Sequence, residues 1–136
     1  MIQIRRVYDR PGRNDGYRIL VDRLWPRGMK KSELSLDAWE KDLAPSNALR
    51  REFAHDPERW PRFRSDYRKE LASGAAREKI RSIAQRAHKH RVTLLYSARD
   101  EEHNNAVVLQ ALVRRELARI DGRLTRPASR CLSAPG

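Results

Sequence analysis

The apolar positions of this chain fall into short continuous runs separated by stretches of helical period. Ile2 to Val7 comes first, with Ile2, Ile4 and Arg6 alternating against Gln3, Arg5 and Val7, a period of two that predicts a strand. "DRPGRNDG" ends it, since Pro11, Gly12, Asn14, Asp15 and Gly16 are turn formers. A second strand is predicted over 17–25, "YRILVDRLW", whose centre Ile19-Leu20-Val21 is continuously apolar, as in a parallel-sheet strand covered on both faces. Val92 to Tyr96, within "RVTLLYSARD", reads the same way.

Between these runs the spacing changes to three and four. Ser35 is expected to cap a helix carrying Leu36, Trp39 and Leu43 and stopped by Pro45; Ser46 caps the next, with Leu49 and Phe53 on one face. In "HDPERWPRFRSDYRKEL", Asp56 supplies a cap oxygen, Pro57 suits the first helical position, and Trp60, Phe63, Tyr67 and Leu71 follow as a stripe. Gly74 is expected to end that helix, and Ile80, Ile83, Ala84 and Ala87 mark another before "HKHR". A long helix is predicted from Asp100 to Ile120, with Ala106, Val107, Gln110, Val113 and Leu117 along one stripe.

Strands alternating with helices predict an α/β fold: a small, mostly parallel sheet flanked by helices, in one domain with a helical middle segment. The domain is expected to span residues 1–121. After it the composition turns rich in Pro, Ser and Ala, which predicts a flexible tail over 122–136. At 136 residues the chain suffices for one modest core. No apolar run approaches the length needed to cross a bilayer, the start lacks a secretory h-region, and the lone Cys131 can form no internal disulfide. A cytoplasmic protein without a membrane partner is expected.

Ligands in parallel sheets collect at the carboxyl ends of the strands. If strands 17–25 and 92–96 are neighbours, that edge gathers Asp22, Arg23, Arg27, Arg99, Asp100 and His103. Arg23, Arg27 and Arg99 could fork onto phosphate or carboxylate oxygens, with Asn104 and the start of the last helix adding donors. Gly28 would let the chain turn close to a ligand. Asp22, Asp100 or His103 would handle a proton in a catalytic version of the site. Each also has a structural reading. Asp22 and Arg23 are adjacent on a strand, point to opposite faces unless Pro26 bends the chain, and could each join a buried ion pair. Asp100 could cap a helix end, and Trp25, Trp39 and the Trp60, Phe63, Tyr67 row could simply be core.

The excess of 30 Lys+Arg over 18 Asp+Glu gives a net charge of +12, which favours an anionic small molecule, a nucleotide or a nucleic acid as partner. Residues 47–91 hold 13 of those cations against 6 acids. The arginine-rich helices 47–90 therefore offer an alternative function, a nucleic-acid-binding regulatory module, against the simpler reading of a solvated face. His88 and His90 lack the ligand set of a zinc site, so no metal is expected. The chain has no Walker lysine loop, GxGxxG fingerprint, nucleophile elbow or HExxH pair, and no cofactor is expected.

"DGYRILVDRLWPRG", "WEKDLAPSNALRREFAHDPERWPRFRSDYRKEL" and "VTLLYSARDEEHNNAVVL" together resemble the YeaO-like family of small bacterial proteins, a branch of a larger domain-of-unknown-function group, over roughly residues 1 to 120. The resemblance implies recurrent polar positions at Asp22, Arg23, Arg27, Asp100, His103 and Asn104, with Trp25, Pro26 and Gly28 completing the first block. It brings no established reaction, although some members carry a transcriptional-regulator label. Longer relatives have a cysteine-containing stretch where this chain has "YSARDEEHNN"; with no cysteine there, thiol chemistry does not carry over, and phosphate or nucleotide recognition is the expected extrapolation.

Overall fold

The computed structural model describes residues 1–72 and 74–133, with side chains described through Gly122. Four strands, β1 (Ile2–Arg6), β2 (Tyr17–Leu20), β3 (Ala38–Trp39) and β4 (Val92–Tyr96), form one sheet in the order β1-β4-β2-β3. Every pairing is parallel. Ile2 to Arg6 pair with Val92 to Tyr96, Tyr17 to Leu20 with Val92 to Leu95, and Ile19 and Leu20 with Ala38 and Trp39. Five helices accompany the sheet: α1 (Lys31–Leu34), α2 (Asn47–Phe53), α3 (Trp60–Leu71), α4 (Gly74–Lys89) and α5 (Asn105–Ser133).

The two faces of the sheet are covered unequally. Ile2, Ile19, Val21, Val92, Leu94 and Tyr96 point into the main core, where they meet Phe53, Phe63, Tyr67, Ile83, Leu109 and Val113 from α2 to α5. On the other face a small apolar cluster of Val7, Leu20, Leu34 and Leu95 is buttressed by Trp25, Met29, Leu36 and Trp39. A polar knot lies on that face as well. Asp15, nearly fully buried, accepts from Arg5 Nη1–H at 2.9 Å, from Gly12 N–H at 2.8 Å and from Arg18 Nη1–H, while Arg18 also donates to the Leu34 and Ser35 carbonyls. Central β4 is buried at all five positions, as its unbroken apolar run requires.

Where the local pattern and the structure part, tertiary pairing explains the difference. The helix expected after Ser35 is replaced by edge strand β3 and a 3₁₀ turn at Lys41–Leu43. Ser35, at φ 50°, ends α1 instead of capping a helix. The open edge of β2 supplies what a helix would have supplied internally: Asp37 N–H bonds the Arg18 carbonyl and Glu40 N–H the Leu20 carbonyl, both at 2.9 Å. Strand β2 stops at Leu20, so residues 21–25 leave the sheet as a loop. Ser46 and Asp56 do cap, accepting from Leu49 N–H and Glu58 N–H. Gly74, at φ +61°, opens α4, since α3 has already ended at Leu71. Helix α5 begins at Asn105, not Asp100, and passes Gly122 to reach Ser133; the last part of the expected tail, 134–136, lies outside the described residues. Among the described residues no helix is long and apolar enough to cross a membrane.

Burial alone would raise the Asp15 carboxyl, but hydrogen bonds from Gly12 N–H, Arg5 and Arg18 outweigh it and hold the group below its ordinary value of 3.8. A carboxylate depressed in this way stabilises the fold above its unfolded pKa, and that stabilisation is lost as pH falls through the lower folded value. Asp15→Asn is therefore expected to lower stability by about 3 kcal/mol at neutral pH. The difference from wild type should shrink as the pH of urea titrations drops below the ordinary carboxyl range.

Candidate functional site

Parallel pairing of β2 with β4 sets the two following loops, 21–29 and 97–104, side by side at the carboxyl edge. One carboxylate joins them. Asp22 Oδ2 accepts the Ser97 backbone N–H at 2.8 Å and the Ser97 hydroxyl at 2.7 Å, and Oδ1 accepts Asn105 Nδ2–H at 3.0 Å. The Asn105 amide also donates to the Val21 carbonyl at 2.9 Å, fastening the first residue of α5 to the end of β2. From edge strand β3, Trp39 Nε1–H reaches the Asp22 carbonyl at 2.7 Å. With most of its acceptor positions occupied, Asp22 works as a joint.

Asp100 is similarly engaged, four residues past the end of β4. Its Oδ1 accepts the N–H groups of Glu102 at 2.9 Å and His103 at 3.0 Å, an Asx turn that delays the start of α5. Its Oδ2 lies 2.8 Å from His103 Nδ1. The Glu102 N–H foremost, then the His103 side chain, hold the Asp100 carboxyl below its usual range. Ionised, it can only accept, so His103 Nδ1 is the donor in this contact. The His103 ring stands edge-on to Trp60 from α3, centroids 5.2 Å apart at 77°. Asn104 turns inward: its Oδ1 accepts Val107 N–H at 3.1 Å and its Nδ2 donates to the Asp100 carbonyl at 2.9 Å, so it caps α5.

The cations at this edge are engaged far less. Arg23 Nε is buried with no hydrogen-bond partner among the described residues. Tyr67 feels its charge: the Tyr67 hydroxyl donates to the Leu43 carbonyl, and its ionisation is driven well above the usual range, first by burial and then by the charges of Asp22 and Glu70, with Arg23 opposing. Arg27 and Arg99 are exposed, and neither guanidinium has an ion-pair or hydrogen-bond partner among the described residues. Gly28, at φ +79°, fills the third position of a turn closed by Met29 N–H to the Pro26 carbonyl at 3.3 Å. A Cβ there would meet nothing within 4 Å, so the glycine answers the turn itself.

Four residues that complete this edge escape the sequence patterns. Arg6, at the end of β1, donates from Nε to the Ala98 carbonyl at 2.9 Å and from Nη2 to the Ser97 carbonyl at 3.4 Å, clamping the loop after β4. Ser97 and Asn105 hold Asp22, and Trp60 flanks His103. For Arg6 the signal is a cation at a core-facing strand position, which demands acceptors. A pocket of about 320 Å³ lies elsewhere, against α2 and α3, lined by Leu49, Phe53 and Phe63 and rimmed by an Arg62–Glu52 ion pair at 3.2 Å.

Comparison with known proteins identifies relatives of this chain. The family described as "Inactive DUF488-N3 subclade" matches residues 1–133. The uncharacterized protein YeaO of Escherichia coli (strain K12) is 48% identical over 108 residues, covering 79% of this chain and 92% of its own. The uncharacterized protein Rv3073c of Mycobacterium tuberculosis (strain H37Rv) is 38% identical over 112 residues, covering 82% and 92%. No solved structure matches the chain significantly.

If Asp22 is a joint, removing it should damage the fold before anything else. Asp22→Ala leaves the Ser97 and Asn105 donors unpaired and is expected to lower unfolding free energy by about 2–3 kcal/mol, read as a lower urea midpoint at unchanged slope.

Proposed function

Because this chain belongs to the inactive DUF488-N3 subclade, we propose that it is a non-catalytic binding domain that holds a phosphate-bearing small molecule, such as a nucleotide, at the carboxyl ends of its strands. One observation carries the reading: at that edge the Asp22 and Asp100 carboxylates are committed to the fold while the Arg27 and Arg99 guanidiniums have no partner among the described residues. Asp22 is tied to Ser97 and Asn105, and Asp100 to its own turn and to His103. A general base needs an accessible lone pair aimed at a substrate, and these are turned to backbone and neighbouring side chains. Ser97, the hydroxyl nearest Asp22, donates its proton into that joint. The description of the subclade as inactive agrees.

Arginine is suited to the remaining task. Its planar fork matches the oxygens of phosphate, and a buried Nε without an acceptor is a standing cost that a bound anion would relieve. Arg27 and Arg99, on the two neighbouring loops, would grip from outside. Ser97 and Asp22 would keep the loops in register without touching the ligand.

The alternative of a nucleic-acid module on helices 47–90 draws less support from those helices as a whole. Arg59 pairs with Asp56, Arg62 with Glu52, and Lys79 with both Glu40 and Asp42, so part of the basic excess is neutralised locally.

Isothermal titration with inorganic phosphate and pyrophosphate tests the reading, at constant ionic strength. Charge-assisted hydrogen bonds are worth roughly 1.5–3 kcal/mol, so Arg27→Ala combined with Arg99→Ala is expected to weaken binding at least tenfold. Equal affinity in wild type and the double variant, or no binding to wild type, would refute it.

A further inference from the structure

The opposite, amino edge of the sheet carries a second concavity. It is an open groove of about 450 Å³ lined by Gly16, Tyr17, Asp37, Arg86, His90 and Arg91. Its shape is set by a close passage of two chain segments. Tyr17 N–H, at the start of β2, donates to the Arg91 carbonyl at 2.9 Å just past the end of α4. Gly16 makes that passage possible: it sits at φ +65°, and a Cβ there would lie 2.1 Å from the Arg91 carbonyl oxygen.

The side chains around this passage have complementary chemistries. The Arg86 guanidinium carbon lies 3.8 Å from the centroid of the Tyr17 ring, a cation seated on an aromatic face. Arg86 is an exposed residue, and its guanidinium has no hydrogen-bond partner among the described residues. Among the described residues none of Arg86, His90 and Arg91 forms an ion pair with a carboxylate. Asp37 supplies the groove's acid. Its Oδ2 accepts the Arg18 N–H at 2.8 Å, and Oδ1 has no donor among the described residues.

Basic residues near the end of a helix answer its dipole, and Arg86, His88 and Lys89 all lie in the last turn of α4. The dipole does not account for a guanidinium held on a tyrosine ring beside two further nitrogen donors and a half-free carboxylate. We propose that the groove binds a ribonucleotide unit. The base stacks on the outer face of Arg86, which Tyr17 holds flat. Arg91 and His90 donate to the phosphate, and Asp37 Oδ1 accepts a ribose hydroxyl, as carboxylates do in other nucleotide sites. Free nucleotides and unstacked residues of single-stranded RNA present this same unit. This site is separate from the carboxyl-edge loops and stands or falls without them.

The test uses two probes: AMP by calorimetry, and a short fluorescein-labelled oligoadenylate by anisotropy, with the deoxy oligomer alongside. At least one ribose probe is expected to bind wild type. Arg86→Ala should weaken it tenfold or more, and Arg86→Lys, which keeps the charge but loses the flat face, nearly as much. Arg51→Ala removes an exposed charge from α2, outside the groove, and should change affinity less than twofold. Asp37→Asn should narrow the preference for ribose over deoxyribose. Thermal melts of each variant check folding, which an exposed Arg86 should not disturb. AMP that oligoadenylate displaces assigns the groove to RNA, and AMP it cannot displace assigns it to free nucleotide; either upholds the inference. It is overturned if neither ribose probe binds, if Arg86→Lys binds like wild type, or if Arg51→Ala costs as much as Arg86→Ala.

Discussion

The carboxyl edge of this protein is organised around the Asp22 carboxylate. Two strands far apart in sequence run parallel, and parallel neighbours need something to hold the chain where it leaves the ladder. Asp22 does so by taking the Ser97 N–H and hydroxyl after β4 and the Asn105 amide at the head of α5. Asn105 returns a bond to Val21, and Trp39 brings in the edge strand through the Asp22 carbonyl. Loop, helix start and short edge strand are thereby located relative to one another before any ligand is considered.

The same division of labour recurs elsewhere. Acidic groups are drawn into joints: Asp15 in the knot under the sheet, Asp22 between the strand ends, Asp100 in the turn before α5. Arginines outnumber the joints available to them. Arg6, Arg18 and Arg5 are absorbed as clamps on carbonyls and on Asp15, whereas the guanidiniums of Arg27, Arg86, Arg91 and Arg99 have no hydrogen-bond or ion-pair partner among the described residues. Within the net charge of +12, these four arginines place unpaired donors, among the described residues, near both ends of one sheet.

How much of this could be read from the sequence depended on how local the cause was. The β4 run and the Ser46 and Asp56 caps are set by a few adjacent residues, and the sequence shows them. The neighbourhood of β2 and β4 is only a condition of the sequence reading, and the structure meets it. Residues 35–43 mislead because Leu36, Trp39 and Leu43 fit a helical stripe, yet the free edge of β2 offers backbone partners that no window of sequence reveals. Asp100 and His103 do meet, but through an Asx turn instead of a helical face. Asn105 and Arg6 were illegible because their partners are more than 80 residues away. Likewise, nothing local says that Arg86 and Tyr17 will touch.

The placement of the aromatic residues carries one more consequence. The chain has three tryptophans: Trp39 is hydrogen-bonded to Asp22, Trp25 meets Trp39 edge-on at 5.4 Å, and Trp60 stands against His103. Native indole emission therefore originates around one rim of the sheet. The molecule contains its own optical reporter for that rim, readable without a label and blind to events at the other.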